Sequence, residues 1–267
     1  METRIFRGAS QVELPLLCSE RIPVEFHHGF TTRAGGVSAP PYASLNLGWK
    51  WGDDPGSVDE NHRRLLVVSG AFAMVRATQV HGIRILRVGR GDDPAAVAAE
   101  QADGLVSDDP GLALSVCVAD CTPILMACPR TGACAALHAG WRGTVAGMAR
   151  AGVAAMVAHF GCRPQELRVA LGPCIGRCCF EVGDEVVDAF VAAMPARHPD
   201  VVHFTPGQRS RIDLRAFQRA EIEAAGVLHD NVDASTDCTL CDAGQRFFSF
   251  RGAGRSTGQL LGFILRK

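Results

Sequence analysis

The apolar positions of this chain fall into two rhythms. Residues 112–118, 123–128 and 133–138 are short runs rich in Val, Leu, Ile and Ala, with the length and composition of buried strands. Residues 83–88 alternate apolar and polar side chains, and 167–171, 247–250 and 260–265 extend the set of predicted strands. Elsewhere the apolar residues recur at three- and four-residue steps. Val145, Met148, Gly152, Ala155 and Met156 give one packed face to a helix over about 144–160, and further helices are predicted at 58–70, 183–194 and 213–225. Residues 33–57 are turn-rich, punctuated by Gly35-Gly36, Pro40-Pro41, Asn46, Gly48, Gly52, Pro55 and Gly56. Their apolar content (Tyr42, Leu45, Leu47, Trp49, Trp51) predicts an ordered loop packed on the body. Strands and helices mix without strict βαβ alternation. That argues against a Rossmann sheet and for an α+β or layered mixed-sheet domain.

Composition narrows the picture. With 267 residues, 47% of them hydrophobic, the chain can bury a core without staples. Its 27 basic and 28 acidic residues nearly balance, so nothing points to a nucleic-acid partner. No apolar run approaches the ~18 residues of a membrane span, and Met1–Arg7 lack the apolar stretch of a signal peptide. Eleven cysteines, an odd number unevenly spread, fit a reduced, cytoplasmic protein better than a secreted disulfide framework. Cys238-x-x-Cys241 is a single pair where a zinc ribbon needs two, and Cys174 with Cys178-Cys179 is too close-set for a second knuckle. These thiols read as core or surface residues.

Three residues each end an apolar segment and open a Gly- or Pro-marked turn. They are His81 in Gln79-Val80-His81-Gly82, Cys121 in Ala119-Asp120-Cys121-Thr122-Pro123, and His138 in His138-Ala139-Gly140-Trp141-Arg142-Gly143. Strand ends can converge at one rim of a sheet. One thiolate and two neutral imidazoles hold zinc in a set of three ligands with a fourth position open, which is the catalytic arrangement. They leave the centre a net charge of about +1, which attracts anions. Singly, a buried Cys is a small hydrophobe and a strand-end His is usually just hydrogen-bonded. Ala135, Ala136, Ala139 and Gly140 favour the ligand reading, since small neighbours leave room to approach the His138 ring. The metal-free alternative makes Cys121 a nucleophile with His138 or His81 as its base. In extended backbone Asp120 and Cys121 point to opposite faces, so Asp120 is expected to order the turn or a group behind the site.

Arg33, Arg142 and Arg251 all follow apolar segments and adjoin glycines, a setting that suits phosphate or carboxylate. The stretch 252–258 has the look of a phosphate loop but lacks the Lys-Ser/Thr ending of a nucleotide-triphosphate site. Trp141 either covers a flat ligand or packs.

In order along the chain come Thr31-Thr32-Arg33-x-Gly35-Gly36-Val37-Ser38, Pro41-Tyr42-x-Ser44-Leu45-Asn46-Leu47-Gly48, Gln79-Val80-His81-Gly82 and Ala102-Asp103-Gly104. The two Cys121 and His138 motifs follow, then Gly172-Pro173-x-Ile175-Gly176, Phe180-Glu181-Val182-Gly183 and Phe247-Phe248-Ser249. Over about residues 28–265 the chain resembles the YfiH/laccase-domain family. The resemblance implies a four-layer α/β/β/α fold with mixed sheets, taken as one domain over 1–267, and zinc at His81, Cys121 and His138. Copper is the alternative metal, from the family's earlier description as polyphenol oxidases. It implies phosphorolysis of adenosine, inosine and methylthioadenosine, with adenosine deamination also attributed to the family. The combined reading places catalysis on Cys121, His138, Asp120 and Arg142, and substrate contacts on Arg33, Asn46, Asn61, Gln79 and Arg251.

Rival readings stay open at this point. Some relatives are described as peptidoglycan editing factors acting on mischarged muramyl precursors. The fold is shared with a cysteine-dependent deamidase toxin, so a Cys–His hydrolase is a further alternative. Multicopper oxidation is disfavoured because the nine histidines form no His-x-His motif and nothing places an axial Met. A non-catalytic, zinc-stabilised binding protein would need four protein ligands rather than three. The chain also departs from the family pattern. It reads Asn61-His62 for Asn-Arg, Ser249-Phe250-Arg251-Gly252-Ala253 for Ser-Tyr-Arg-Arg-Asp, and Thr257-Gly258-Gln259 for Thr-Gly-Arg. Arg63 and Arg255 are the replacement charges the sequence offers. Expected partners are a purine nucleoside and phosphate, bound by a cytoplasmic monomer or weak dimer.

Overall fold

A computed structural model of the chain describes residues 1–8, 12–194, 200–204, 206–207 and 209–267. The strands, in chain order, are β1 (Glu2–Arg7), β2 (Glu13–Cys18), β3 (Phe26–Thr31), β4 (Ala73–Val75), β5 (Ile85–Arg87), β6 (Gly104–Ser107) and β7 (Leu112–Val118). They continue with β8 (Thr122–Ala127), β9 (Cys134–Ala139), β10 (Arg168–Leu171), β11 (Val202–His203), β12 (Arg211–Ile212), β13 (Val232–Ala234) and β14 (Leu260–Arg266). The helices are α1 (Pro55–Ser69), α2 (Pro94–Ala99), α3 (Trp141–Val145), α4 (Met148–Phe160), α5 (Asp184–Ala193), α6 (Leu214–Ala224) and α7 (Phe250–Ala253).

Two six-stranded mixed sheets form the centre. One runs β1-β2-β3-β14-β7-β4 and the other β13-β10-β8-β9-β6-β5, while β11 and β12 make a separate ribbon. Side-chain alternation along the strands builds three apolar interfaces. Leu114, Val116 and Val118 of β7 meet Leu105, Leu125 and Ala136 of the facing sheet. Ala113 and Cys117 turn the other way, to Leu14, Leu16 and, on α1, Leu65 and Val68. Ile124, Met126 and Leu137 pack on Met148, Val153 and Met156 of α4 and Ile222 of α6. The result is a four-layer α/β/β/α arrangement with an α+β mixture of elements. Central strands buried on both faces explain the unbroken apolar runs at 112–118 and 123–128.

Local chemistry sets several boundaries. Asp54 accepts the Ser57 N–H at 2.7 Å, Pro55 takes the first helical position, and Gly70 closes α1 at φ 67. The single helix predicted over 144–160 is two, α3 and α4, because Gly147 adopts φ 91 between them. The strand predicted at 247–250 is absent. Ser249 accepts the Gly252 N–H at 3.2 Å and starts the short α7 instead. The 33–57 loop is ordered as expected, with Leu45 and Leu47 in the core and the Tyr42 hydroxyl donating to the Trp51 carbonyl. No helix among the described residues is long and apolar enough to cross a membrane.

One core group is poorly matched. Glu221 of α6 is 3% exposed, its Oε2 has no hydrogen-bond partner, and its nearest cation, Arg150, stands 3.9 Å away. Burial pushes its carboxyl up to about 7. From the ordinary carboxylate pKa up to about 7, the unfolded chain sheds this proton while the folded chain keeps it. Stability therefore falls as pH rises through that window and stays reduced above it. Glu221→Gln is expected to raise the unfolding midpoint at pH 8 by about 2–4 °C, as roughly 1 kcal/mol does in a domain of this size. At pH 4.5 the shift should nearly vanish. Equal shifts at both pH values would count against this account.

Candidate metal centre and its pocket

The three turn residues singled out in the sequence meet at the rim between the sheets. The Nδ1 or Nε2 atoms of His81 and His138 and the Sγ of Cys121 all lie within 4.8 Å of one another. His138 sits on β9 with the parity of Cys134 and Ala136, which face the inter-sheet core. Cys121 occupies the turn between β7 and β8. His81 ends the 78–81 segment in left-handed backbone, φ 61, a conformation that non-glycine residues hold only when their surroundings impose it.

Asp103 imposes it. Buried at the start of β6, its carboxylate accepts the N–H groups of Val80 (3.2 Å), His81 (2.9 Å) and Gly82 (2.7 Å). It also takes the His138 Nδ1 at 2.8 Å. One side chain thus fixes both the backbone beneath one imidazole and the tautomer of the other, leaving His138 Nε2 to face the cluster. Carboxylate behind histidine is the usual support of a metal ligand. Burial favours the protonated acid, but the His138 ring and the N–H donors hold Asp103 below the ordinary carboxylate range.

The electrostatics suit a cation. Burial alone would push the Cys121 thiol up, yet His138 and His81 bring it down to about 6. Burial opposes charge on His138, but the Cys121 thiolate and Asp103 raise it to about 9. Both shifts run toward a thiolate beside an imidazolium when no metal is bound. A borderline-soft divalent ion held by His81, Cys121 and His138 would take the place of that proton. Among the described residues the cluster has three protein ligands and no fourth, as a catalytic rather than a structural site requires. Gly140 completes the fit. A Cβ there would lie 2.7 Å from His81 Nδ1 and 3.0 Å from Cys121 Sγ. Its backbone, φ −72 and ψ 173, tolerates alanine. Gly140→Ala should therefore fold normally and weaken metal retention by about tenfold or more, the scale on which misplaced ligands act. Titration against a competing chelator measures it, and unchanged affinity would refute the close fit.

Two compartments open beside the cluster. A cavity of about 220 Å³ is lined by His81, Cys121, His138, Gln79, Lys50, Trp51, Phe250 and Gln259, among others. A second, about 140 Å³, shares Cys121 and Phe250 and adds Trp141, Ile175, Phe180, Leu214 and Arg251. A larger cavity, about 730 Å³, lies elsewhere and contains none of the three ligands, so volume alone does not mark the chemistry.

The other expected site residues divide. Gln79 reaches the pocket wall, but its amide pairs with both backbone groups of Cys117, at 2.7 and 2.8 Å. Arg251 borders the second compartment, its guanidinium donating to the Glu181 carbonyl at 3.1 Å. Asp120, at φ 85, accepts the Thr239 hydroxyl and the Arg251 N–H, each at 2.6 Å. It is a positioning residue that joins three loops. Arg142 is exposed and lies over the Trp141 ring at 4.3 Å, outside both compartments. Arg33, Asn46 and Asn61 are not brought to the pocket. Arg33 donates to the Ala43 carbonyl at 2.7 Å. Asn46 binds Gly48, Asp53 and the Gln259 N–H. Asn61 binds Val37, Ser38, Ser44 and the Asn46 carbonyl. Their amides are spent on ordering the 33–57 loop. His62, where the family carries arginine, stacks on Trp49 at 4.0 Å, with Arg76 on the same indole at 4.0 Å. Sequence reading did not single out Asp103, Lys50, Trp51 or Phe250 as site residues. Asp103, inside Ala102-Asp103-Gly104, and Phe250, inside Ser249-Phe250-Arg251-Gly252-Ala253, left a motif-level signal.

The family profile described as multi-copper polyphenol oxidoreductase laccase matches residues 27–267. A protein of Geobacillus stearothermophilus named purine nucleoside phosphorylase YlmD is 40% identical over 248 residues, covering 90% of this chain and 89% of that one. A Deinococcus radiodurans protein named purine nucleoside phosphorylase is 38% identical over 253 residues, covering 94% and 92%. The crystal structure of YlmD from Geobacillus stearothermophilus superposes with a TM-score of 0.88 at 35% identity, over 98% of this chain and 99% of that one. The family description retains the oxidase label, whereas these relatives' names carry phosphorolysis. With the motif order, the four layers and nearly full-length similarity in agreement, the chain belongs to the laccase-domain (YfiH) family.

Proposed function

We propose that the chain is a zinc-dependent purine nucleoside phosphorylase, taking adenosine, inosine and methylthioadenosine with phosphate to free base and the ribose or methylthioribose 1-phosphate. The observation that carries this is the His81–Cys121–His138 cluster opening onto a compartment that presents Lys50, Gln79 and Gln259 and shares Cys121 and Phe250 with an apolar, aromatic one. Relatives named as purine nucleoside phosphorylases support it. Zinc held by these three residues supplies a Lewis-acid centre with a net charge of about +1.

The chain's own residues do the rest. Trp141, Ile175, Phe180, Leu214 and Phe250 form an apolar slot that suits a purine ring or a methylthio group. Lys50 and Arg251 border the two compartments and bring positive charge to an anionic substrate. A phosphate oxygen bonds to the anomeric carbon as the glycosidic bond breaks, and the base leaves with the bond's electron pair. Gln259 stands where the family carries arginine, so Lys50 takes a larger share of phosphate binding here. The test is release of hypoxanthine from inosine by the zinc-loaded protein, with and without phosphate. Hypoxanthine and ribose 1-phosphate should form only when phosphate is present. Phosphate-independent release would make the protein a hydrolase and overturn the reading. Inosine formed from adenosine would report deamination at the same pocket.

A further inference from the structure

The fold gathers four thiols that the sequence spacing sets apart. Cys178 and Cys179 follow β10, and Cys238 and Cys241 follow β13, some sixty residues later. β10 and β13 pair in parallel, and the pairing continues as a bridge between Cys174 and Cys238, so both following loops leave the same end of the sheet. All four Sγ atoms lie within 4.8 Å of one another. Cys241 Sγ is 3.4 Å from both Cys178 Sγ and Cys179 Sγ. A zinc tetrathiolate with Zn–S bonds of ~2.3 Å has sulfur–sulfur edges of about 3.8 Å, so the cage already has the right size.

We propose that Cys178, Cys179, Cys238 and Cys241 hold a second zinc ion, closed and structural, distinct from the three-ligand cluster. Backbone amides already point at the sulfur: Gly176 N–H donates to Cys238 Sγ at 3.2 Å and Cys241 N–H at 3.5 Å. Such amides stabilise thiolates. Four thiolates around a divalent ion leave a net charge of −2, and Arg177 adjoins the cluster in sequence while Arg211 interacts electrostatically with Cys178 and Cys179. A disulfide is a poorer solution, because Cys241 is equidistant from two partners and could take only one.

The ion would brace the apolar wall of the pocket. Thr239, inside the Cys238–Cys241 knuckle, donates its N–H to the Cys174 carbonyl at 3.0 Å and its hydroxyl to Asp120 at 2.6 Å. Ile175 and Phe180 flank the cysteine pair and line the second compartment. Loosening this clip should raise KM for nucleoside more than it lowers kcat.

The wild-type chain is expected to retain about two zinc ions, falling to about one in His81→Ala and to about one in Cys178→Ser/Cys241→Ser. In His81→Ala the remaining zinc should show a sulfur-only shell by X-ray absorption, and cobalt in its place should show strong thiolate-to-metal charge transfer. One zinc in the wild type, lost entirely in His81→Ala, would overturn the proposal. So would iron as the retained metal, or a disulfide from Cys241 in the native protein. Should the double serine variant fail to fold, the His81→Ala measurements still decide. They are independent of phosphorolysis, so this proposal and the functional reading can fail separately.

Discussion

His81→Ala should empty the three-ligand cluster and lower kcat/KM for phosphorolysis by about a thousandfold, the factor that several kcal/mol of Lewis-acid stabilisation represents. Losing one of three ligands leaves Cys121 and His138, which satisfy each other as a thiolate–imidazolium pair and have little need of an ion. The fold should not suffer. The His81 side chain is exposed, and its strained backbone is held by Asp103 through main-chain N–H groups that alanine retains. Metal analysis, steady-state rates and circular dichroism on one preparation separate these effects. Turnover that survives with that metal gone would end the case for metal-assisted chemistry and revive a Cys121–His138 nucleophile.

The contrast between what the chain spells out and what only its folding reveals has physical causes. His81, Cys121 and His138 were legible because each interrupts an apolar run at a turn, and strand ends of layered sheets share a rim. The runs at 112–118 and 123–128 were legible because both their faces are buried. β1 was not, since it is an edge strand with an exposed Ile5, and β3 was hidden by its His27-His28-Gly29 interruption. The break between α3 and α4 turns on one left-handed glycine inside an otherwise regular period. Asn46 and Asn61 show the limit of motif reading. A polar residue in a recognisable motif is equally suited to touching substrate or to satisfying loop backbone, and only the hydrogen bonds distinguish the two. The four-thiol cluster shows the converse. Its spacing fits no continuous knuckle because half of it is delivered by β10 and half by β13.

Asp103 is the residue on which the three-ligand cluster depends most without contributing a ligand, and Asp103→Asn is the sharpest probe of it. The carboxylate offers only acceptors, and four donors converge on it. An amide offers one acceptor oxygen and an NH₂ group. If the oxygen keeps the Val80 and Gly82 N–H groups, which share Oδ2, the NH₂ takes the Oδ1 place, where it donates to His138 Nδ1 and opposes the His81 N–H. The ring proton then moves to Nε2, the nitrogen that faces Cys121, and His138 can no longer ligate. If the amide turns the other way, the oxygen keeps His138 Nδ1 and the His81 N–H, but the NH₂ group opposes the Val80 and Gly82 N–H groups, and the turn that holds His81 in left-handed backbone loses two of its three anchors. Either arrangement removes one good ligand. Zinc affinity is therefore expected to fall by about 10–100-fold, with a stability loss of about 2–3 kcal/mol from donors left buried without an acceptor. Excess zinc should restore part of the turnover to Asp103→Asn and none to His81→Ala, because the ligand atoms are misaligned in the first and missing in the second. Full affinity and full activity in Asp103→Asn would mean that the ligands orient themselves without the buried carboxylate.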